Sequence, residues 1–130
     1  MVPQGTISER MRCHAAGLGG FFSPVSAGTK LAEGKETREI DGRLHVFEKP
    51  LKGDIALLKA NKADRWGNLT YIKSARNFNP VMAMAAELTV VEVDQMVELG
   101  EMDPEAVVTP SILCRSHRRC WSKCMISVDA

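Results

Sequence analysis

The chain has 130 residues, 45% of them hydrophobic and 25% charged, with a formal net charge of +1 at pH 7. That is enough for one globular domain and gives no charge argument for a nucleic-acid or membrane-surface partner. No apolar run reaches the roughly 20 residues that span a bilayer, and the amino end lacks the basic and apolar regions of a signal peptide, so a cytoplasmic location is the default expectation.

From the amino end, the spacing predicts a first helix over residues 7–16. Thr6 followed by Glu9 has capping-box spacing, in which hydroxyl and carboxylate each satisfy an amide at the helix start, and Gly17 is a natural stop. Cys13 reads as a packing residue of this helix and His14 as a solvated one. Residues 17–24 are glycine-rich. A phosphate-binding loop follows a strand and opens a helix, whereas this one follows a helix and runs into Ser23-Pro24, so it reads as a connection.

Residues 37–48 predict a β-hairpin. Asp41-Gly42 suits the two positive φ angles of a type I′ turn, and Ile40, Leu44 and Val46 alternate with polar neighbours. His45 falls on the polar face and reads as a solvated strand histidine rather than a ligand. Next, Ile55-Ala56-Leu57-Leu58 is an unbroken apolar run between Gly53 and polar residues. Such a run predicts a strand over residues 54–59 that is covered on both faces, as in a parallel sheet.

Asp64 to Asn68 predicts a tight turn, followed by a short extended segment over 69–72 and a polar loop. Asn79 is placed to cap the next helix and Pro80 to occupy its first position, where a missing N–H costs nothing. That helix, over 80–87, packs through Val81, Met82, Met84, Ala85 and Ala86, with the two methionines as packing material rather than a metal or cofactor site. A second covered strand follows over 88–93, and a turn at Asp103-Pro104-Glu105 leads to Val107-Val108. Strand, loop, helix, strand is the order of an α/β unit.

The run Asp64-Arg65-Trp66-Gly67-Asn68-Leu69-Thr70-Tyr71, continued by Lys73-Ser74-Ala75-Arg76-Asn77-Phe78-Asn79-Pro80, resembles the A-type subunit of the family I 3-oxoacid coenzyme A transferases, most closely the 3-oxoadipate (β-ketoadipate) type. Three further segments agree: Val2-Pro3-Gln4-Gly5-Thr6-Ile7-Ser8-Glu9-Arg10, Glu33-Gly34-Lys35-Glu36-Thr37-Arg38-Glu39-Ile40-Asp41-Gly42-Arg43, and Val90-Val91-Glu92-Val93 with Val97-Glu98-Leu99-Gly100. The resemblance covers about residues 2–112 and implies an α/β fold of the transferase type, a partial open sheet with flanking helices and a β-hairpin insertion. In the family the chain begins roughly a hundred residues earlier, before a glycine-rich coenzyme-binding segment. Met1 stands where valine is common, so the expectation is an internal start or a truncated reading frame. Strands built to be covered on both sides would then leave apolar surface and unpaired edges.

The resemblance also implies a chemistry. The coenzyme moves from a donor thioester such as succinyl-CoA to a 3-oxoacid, here 3-oxoadipate, through an acyl anhydride and then a thioester on an enzyme glutamate. Conversion of 3-oxoadipate to its coenzyme A ester would belong to the breakdown of aromatic compounds. Acetoacetate is the alternative acceptor, and a noncatalytic remnant the alternative role. The nucleophilic glutamate is expected in the partner, the B-type subunit, so no nucleophile is assigned among Glu9, Glu33, Glu48, Glu87 and Glu92, which read as helix-cap, hairpin and surface carboxylates. No metal and no redox cofactor is expected. A hetero-oligomer with the B-type partner is.

Gln4 is the residue carried over from the family motif. There a glutamine amide reaches the active site at the junction of the two subunits and bonds a substrate carbonyl or carboxylate without competing as a nucleophile; otherwise Gln4 is a turn residue before a helix. Phe22, Ser23 and Asn77 are the further candidates for lining the substrate cleft, or for fixing loop geometry.

Residues 111–130 are chemically different. Arg115, Arg118, Arg119 and Lys123 against Asp129 give a net of +3, leaving −2 on residues 1–110, and Cys114, Cys120 and Cys124 also lie here. The domain expectation is therefore a transferase portion over 1–110 and an aberrant or disordered basic, cysteine-rich tail over 111–130. Ile112-Leu113-Cys114-Arg115 is what a dropped base would make of the family's extended ending, which favours a frameshift. Cys114, His117, Cys120 and Cys124 as zinc ligands lack paired C-x-x-C knuckles. Arg118 and Arg119 beside Trp121 as a nucleic-acid contact is the other competing reading.

Overall fold

The chain folds as two units, Met1–Lys52 and Gly53–Ala130; the computed structural model describes residues 1–113 and the short strand Met125–Ser127.

In the first unit, helix α1 (Gln4–Ala15) is entered from Pro3, whose φ of −59° and ψ of 144° leave the helix start without a side-chain cap. It begins earlier than residue 7, because proline's fixed φ suits the position just before a helix and nothing in Gln4-Gly5 breaks the turn. The expected capping box is absent. Thr6 lies inside the first turn, buried, and its hydroxyl has no partner among the described residues, while Glu9 turns to Arg12 at 2.6 Å. The far end is as predicted. Gly17 has φ +71°, and the Gly17 N–H to His14 O and Leu18 N–H to Cys13 O bonds, both 3.0 Å, close the helix by the two-bond glycine motif.

Strands β2 (Thr37–Ile40) and β3 (Arg43–Glu48) form the hairpin, with Asp41 at φ 51° and Gly42 at φ 72°. The glycine-rich segment is more than a connection: β1 (Phe21–Ser23) pairs antiparallel with β3, Phe22 opposite Phe47, giving the order β1-β3-β2. Gly20 is required by this approach, since a Cβ there would stand 2.6 Å from Phe47 Cε2 and 2.9 Å from the Glu48 carbonyl. Along β3 the inward positions are Val46 and Glu48, while Leu44, next to the turn, is exposed. His45 keeps its Nδ1 on the Arg43 carbonyl at 2.8 Å. The helix is tied to the segment after the hairpin by Arg10 Nε to Lys49 O, 2.7 Å, and Leu51 N–H to Arg10 O, 2.9 Å.

The second unit is the sheet β5-β4-β6-β7, of β4 (Gly53–Asp64), β5 (Leu69–Thr70), β6 (Ala86–Val97) and β7 (Met125–Ser127). Strands β4 and β6 run parallel in one ladder from Gly53 opposite Ala86 to Asp64 opposite Val97. Both are longer than predicted, because the ladder continues through polar residues such as Lys62 and Gln95 that carry no apolar signal. Helix α2 (Asn79–Ala85) joins them. Phe78, not Asn79, is its cap residue; the Asn79 amide instead donates to the Lys59 carbonyl at 2.8 Å. The chain passes from Ala85 straight into β6, and Thr89 Oγ1 donates to the Ala83 carbonyl at 3.2 Å, satisfying one carbonyl of the helix end.

One face of this sheet is a packed core of Ala56, Leu58, Ala60, Val91 and Val93 with Leu69, Tyr71 and Ala83. The opposite face is open: Ile55 is 59% and Leu57 71% exposed. The expectation of strands covered on both sides is corrected to cover on one. The small residues Ala56, Ala60 and Ala83 let helix and sheet approach closely.

The signature run is a structural knot. The Asp64 carboxylate, 5% exposed, accepts from the Trp66 N–H at 2.9 Å, the Asn68 N–H at 3.0 Å and Asn68 Nδ2 at 2.7 Å. Gly67 completes the turn with φ +89°. Asn68 Oδ1 then accepts from the Ser111 N–H at 2.9 Å, and the Tyr71 hydroxyl lies 2.9 Å from Thr109 Oγ1. An Asp64→Ala substitution leaves three donors without their acceptor, and we expect a loss of about 3 kcal/mol in urea unfolding; a change under about 0.5 kcal/mol, the range of neutral surface substitutions, would show the knot to be incidental.

Candidate functional site

Gln4 is the first residue of α1 and is exposed. The first helical amide with an acceptor is Ile7, on Pro3 O at 3.0 Å, so the N–H groups of Gln4, Gly5 and Thr6 have no intrahelical partner. The first turn carries no acidic residue and no cap, and a Cβ at Gly5 would meet nothing within 4 Å. A primary amide beside free backbone donors at the positive end of a helix can hold a carboxylate or a carbonyl oxygen. It supplies no nucleophile.

The other candidates have structural partners. Phe22, on β1, lies 5.2 Å from the Phe47 ring, tilted by 58°, under the Arg38 guanidinium at 4.6 Å. Ser23 Oγ accepts from the Val25 N–H at 3.2 Å, a local turn bond. Gln4, Phe22 and Ser23 belong to the first unit and Asn77 to the second. Asn77 is exposed and closes a 3-10 turn, Lys73–Arg76, by its N–H to Ser74 O at 3.0 Å.

Three of the carboxylates set aside as nucleophiles are ion-paired. Glu48 is 2% exposed and bonds Lys35 Nζ at 2.7 Å, so this hairpin carboxylate is a buried acid. Its position two residues after Val46 on the inward face of β3 is the available signal. Glu9 is held below the usual carboxylate range by its hydrogen bond from Arg12. On the open face of the sheet Lys59 reaches both Glu92 and Asp94 at 2.6 Å. Asp94 and then Glu92 raise the Lys59 ammonium, and the same hydrogen bond lowers the Asp94 carboxyl. Among the described residues no group of three or more His, Cys, Asp and Glu is placed to hold a metal, and no helix is long and apolar enough to cross a membrane. Cys114, Arg115, His117, Arg118, Arg119, Cys120, Trp121, Lys123 and Cys124 lie outside the described residues.

The protein-family model described as coenzyme A transferase matches residues 1–116. The chain belongs to this family. It is 62% identical over 112 residues to the A-type subunit of 3-oxoadipate CoA-transferase from Pseudomonas putida, covering 86% of this chain and 48% of that protein. It is 53% identical over 110 residues to the alpha subunit of acetate CoA-transferase from Escherichia coli K12, covering 85% and 50%. The chain thus spans about half the length of the curated relatives it matches. An acyl-CoA transferase from Escherichia coli O157:H7, solved as a thioester complex with CoA, superposes with a TM-score of 0.77 at 22% identity over 98% of this chain and 27% of its own. Glutaconate CoA-transferase of Acidaminococcus fermentans gives 0.73 at 17% identity over 88% and 43%. At these identities the solved structures establish the fold, an open α/β transferase architecture as expected.

Two ion pairs in this CoA-transferase chain predict opposite behaviour. Lys35→Met leaves the buried Glu48 carboxylate unpaired, and urea unfolding should show a loss of about 2 kcal/mol, toward the low side for a buried pair because Lys35 is one-third exposed. Lys59→Met removes the two exposed pairs with Glu92 and Asp94 and should change stability little at neutral pH. Asp94 is lowered only in the folded chain, so its contribution is present above the ordinary aspartate pKa and fades as the pH falls through the lowered value. An NMR titration should find Asp94 below the usual aspartate range and returning upward in Lys59→Met; an unchanged midpoint would refute the coupling.

Proposed function

We propose that this chain is a portion of the A-type subunit of a 3-oxoadipate:succinyl-CoA transferase. It works with a B-type partner in a cytoplasmic hetero-oligomer that converts 3-oxoadipate and succinyl-CoA to 3-oxoadipyl-CoA and succinate in the degradation of aromatic compounds. The observation that carries the reading is Gln4, an exposed amide at an uncapped helix start in a sequence 62% identical to a protein whose name carries the 3-oxoadipate activity. Its side-chain N–H and the free N–H groups beside it hold the acceptor's carboxylate or the developing oxyanion of the thioester carbonyl. The B-type partner supplies the glutamate: its carboxylate attacks the succinyl thioester, coenzyme A leaves as thiolate and returns onto the glutamyl acyl carbon as succinate departs, and the acceptor carboxylate then takes the coenzyme in the reverse order. No metal or redox group enters these steps, and coenzyme A is a substrate. Phe22, Ser23 and Asn77 are substrate-cleft residues in this reading.

The 53% identity to an acetate CoA-transferase and the 49% to a probable succinyl-CoA:3-ketoacid coenzyme A transferase of Bacillus subtilis favour acetoacetate or another short acid as the alternative acceptor. A chimera decides between them: the 112 matched residues of the Pseudomonas putida protein are replaced by those of this chain and coexpressed with that enzyme's B-type partner. We expect succinyl-CoA to be consumed with 3-oxoadipate in preference to acetoacetate or acetate, and Gln4→Ala to lower kcat about 100-fold, as loss of one oxyanion donor does. The unmodified chain alone should show no turnover. A chimera indifferent to Gln4→Ala, or turnover by this chain alone, would overturn the assignment.

A further inference from the structure

The acceptor 3-oxoadipate differs from acetoacetate and acetate in carrying a second carboxylate, which stays charged while the first takes up the coenzyme. A site that prefers it needs a cation placed away from the reacting end. Among the cations of the first unit, Arg10 donates to the Lys49 carbonyl, Arg12 pairs with Glu9, and Lys35 pairs with the buried Glu48. Arg38 is not committed in this way. Its guanidinium carbon lies over the Phe22 ring, 4.6 Å from the centroid. Its carboxylate partner is Glu36, reached by a single Nη2 contact of 3.3 Å with both side chains more than half exposed. Such a pair contributes little.

The three-stranded sheet sets this arrangement. Arg38 stands opposite His45 and Phe22 opposite Phe47, all one step out of phase with the buried Val46, so the four residues share the outward face. Phe47 steadies the Phe22 ring at 5.2 Å, and the ring in turn seats the cation above its negative face. The donors remain available. Among the described residues Nε and Nη1 of Arg38 have no partner. A carboxylate binds a guanidinium as a two-bond fork, through Nη2 with either Nε or Nη1, so an incoming acid competes with at most the one Glu36 contact.

We propose that Arg38, seated on Phe22, is a specificity-determining residue that binds the carboxylate of 3-oxoadipate remote from the reacting end. The inference rests on the proposed function, in which Phe22 is a substrate-cleft residue and Gln4 meets the reacting group; all three residues belong to the first unit. It gives Phe22 a defined task, which is to carry the cation. Acetoacetate and acetate have no second carboxylate for Arg38 to bind, so the residue acts on the choice between acceptors and not on the chemistry they share.

The chimeric transferase with its B-type partner provides the test. Because the coenzyme waits on the enzyme as a thioester, kcat/KM for the acceptor reports on the acceptor's half of the reaction alone. We expect Arg38→Met to lower kcat/KM for 3-oxoadipate about 30-fold, the usual loss for a hydrogen bond to a charged group. The loss should fall mainly on KM, since the remote carboxylate is bound equally before and during reaction. The value for acetoacetate should not change. Arg38→Lys keeps the charge without the fork and should recover part of the loss, and the unfolding midpoint should stay where it is because Arg38 is largely exposed. An equal loss with both acceptors, or none with either, in a chimera that prefers 3-oxoadipate would overturn this inference and leave the proposed function standing. An unsubstituted chimera that prefers acetoacetate or acetate, or turns over none of the three, sinks both.

Discussion

The parallel ladder between β4 and β6 is the interaction on which the second unit depends. It is long, from Gly53 opposite Ala86 to Asp64 opposite Val97, and the connection across it is a seven-residue helix that lies close because the facing residues are alanines. Burial of Leu58, Val91 and Val93 between ladder and helix contributes about 2 kcal/mol each, by the usual value for an aliphatic side chain removed from water. The same ladder creates the open face, since side chains alternate and the inward Leu58 has an outward Leu57 beside it. A sheet of this kind is half of a two-faced layer.

The signature run secures one end of that ladder. Asp64 closes β4, gathers the next turn with its carboxylate, and through Asn68 holds the Ser111 amide. Leu69 bonds Thr109 in both directions, N–H to O at 2.9 Å and O to N–H at 3.3 Å. The residues that most strongly identify the family are thus structural in this chain. They bring the segment near Thr109 back onto the sheet.

Sequence reading succeeds where structure is decided locally. Asp41-Gly42, Gly17 and the Asp64 to Asn68 turn are legible because positive φ angles and short side-chain bonds depend on a few consecutive residues. It fails where a distant partner decides. Gly20 reads as loop punctuation until Phe47 is found against it, Thr6 and Glu9 have cap spacing but Pro3 sets the helix start, and the ends of β4 are written in β6. Glu48 reads as a hairpin carboxylate, and its ion-pair partner is not legible because Lys35 lies outside the hairpin. The candidate site is legible only through resemblance: no pattern around Gln4 marks it, and the structure adds its exposure and the free amides beside it.

The account gives this chain the part of wall and scaffold, with an amide donor at one helix start and with Glu9, Glu48 and Glu92 engaged in ion pairs. The most direct test traps the covalent intermediate. The chimeric transferase is loaded with succinyl-CoA, the enzyme thioester is reduced with borohydride, and the modified glutamate, now an alcohol, is located by peptide mass spectrometry. The account predicts the modification in the B-type partner and none in this chain; a reduced glutamate at Glu9, Glu48 or Glu92 would contradict it.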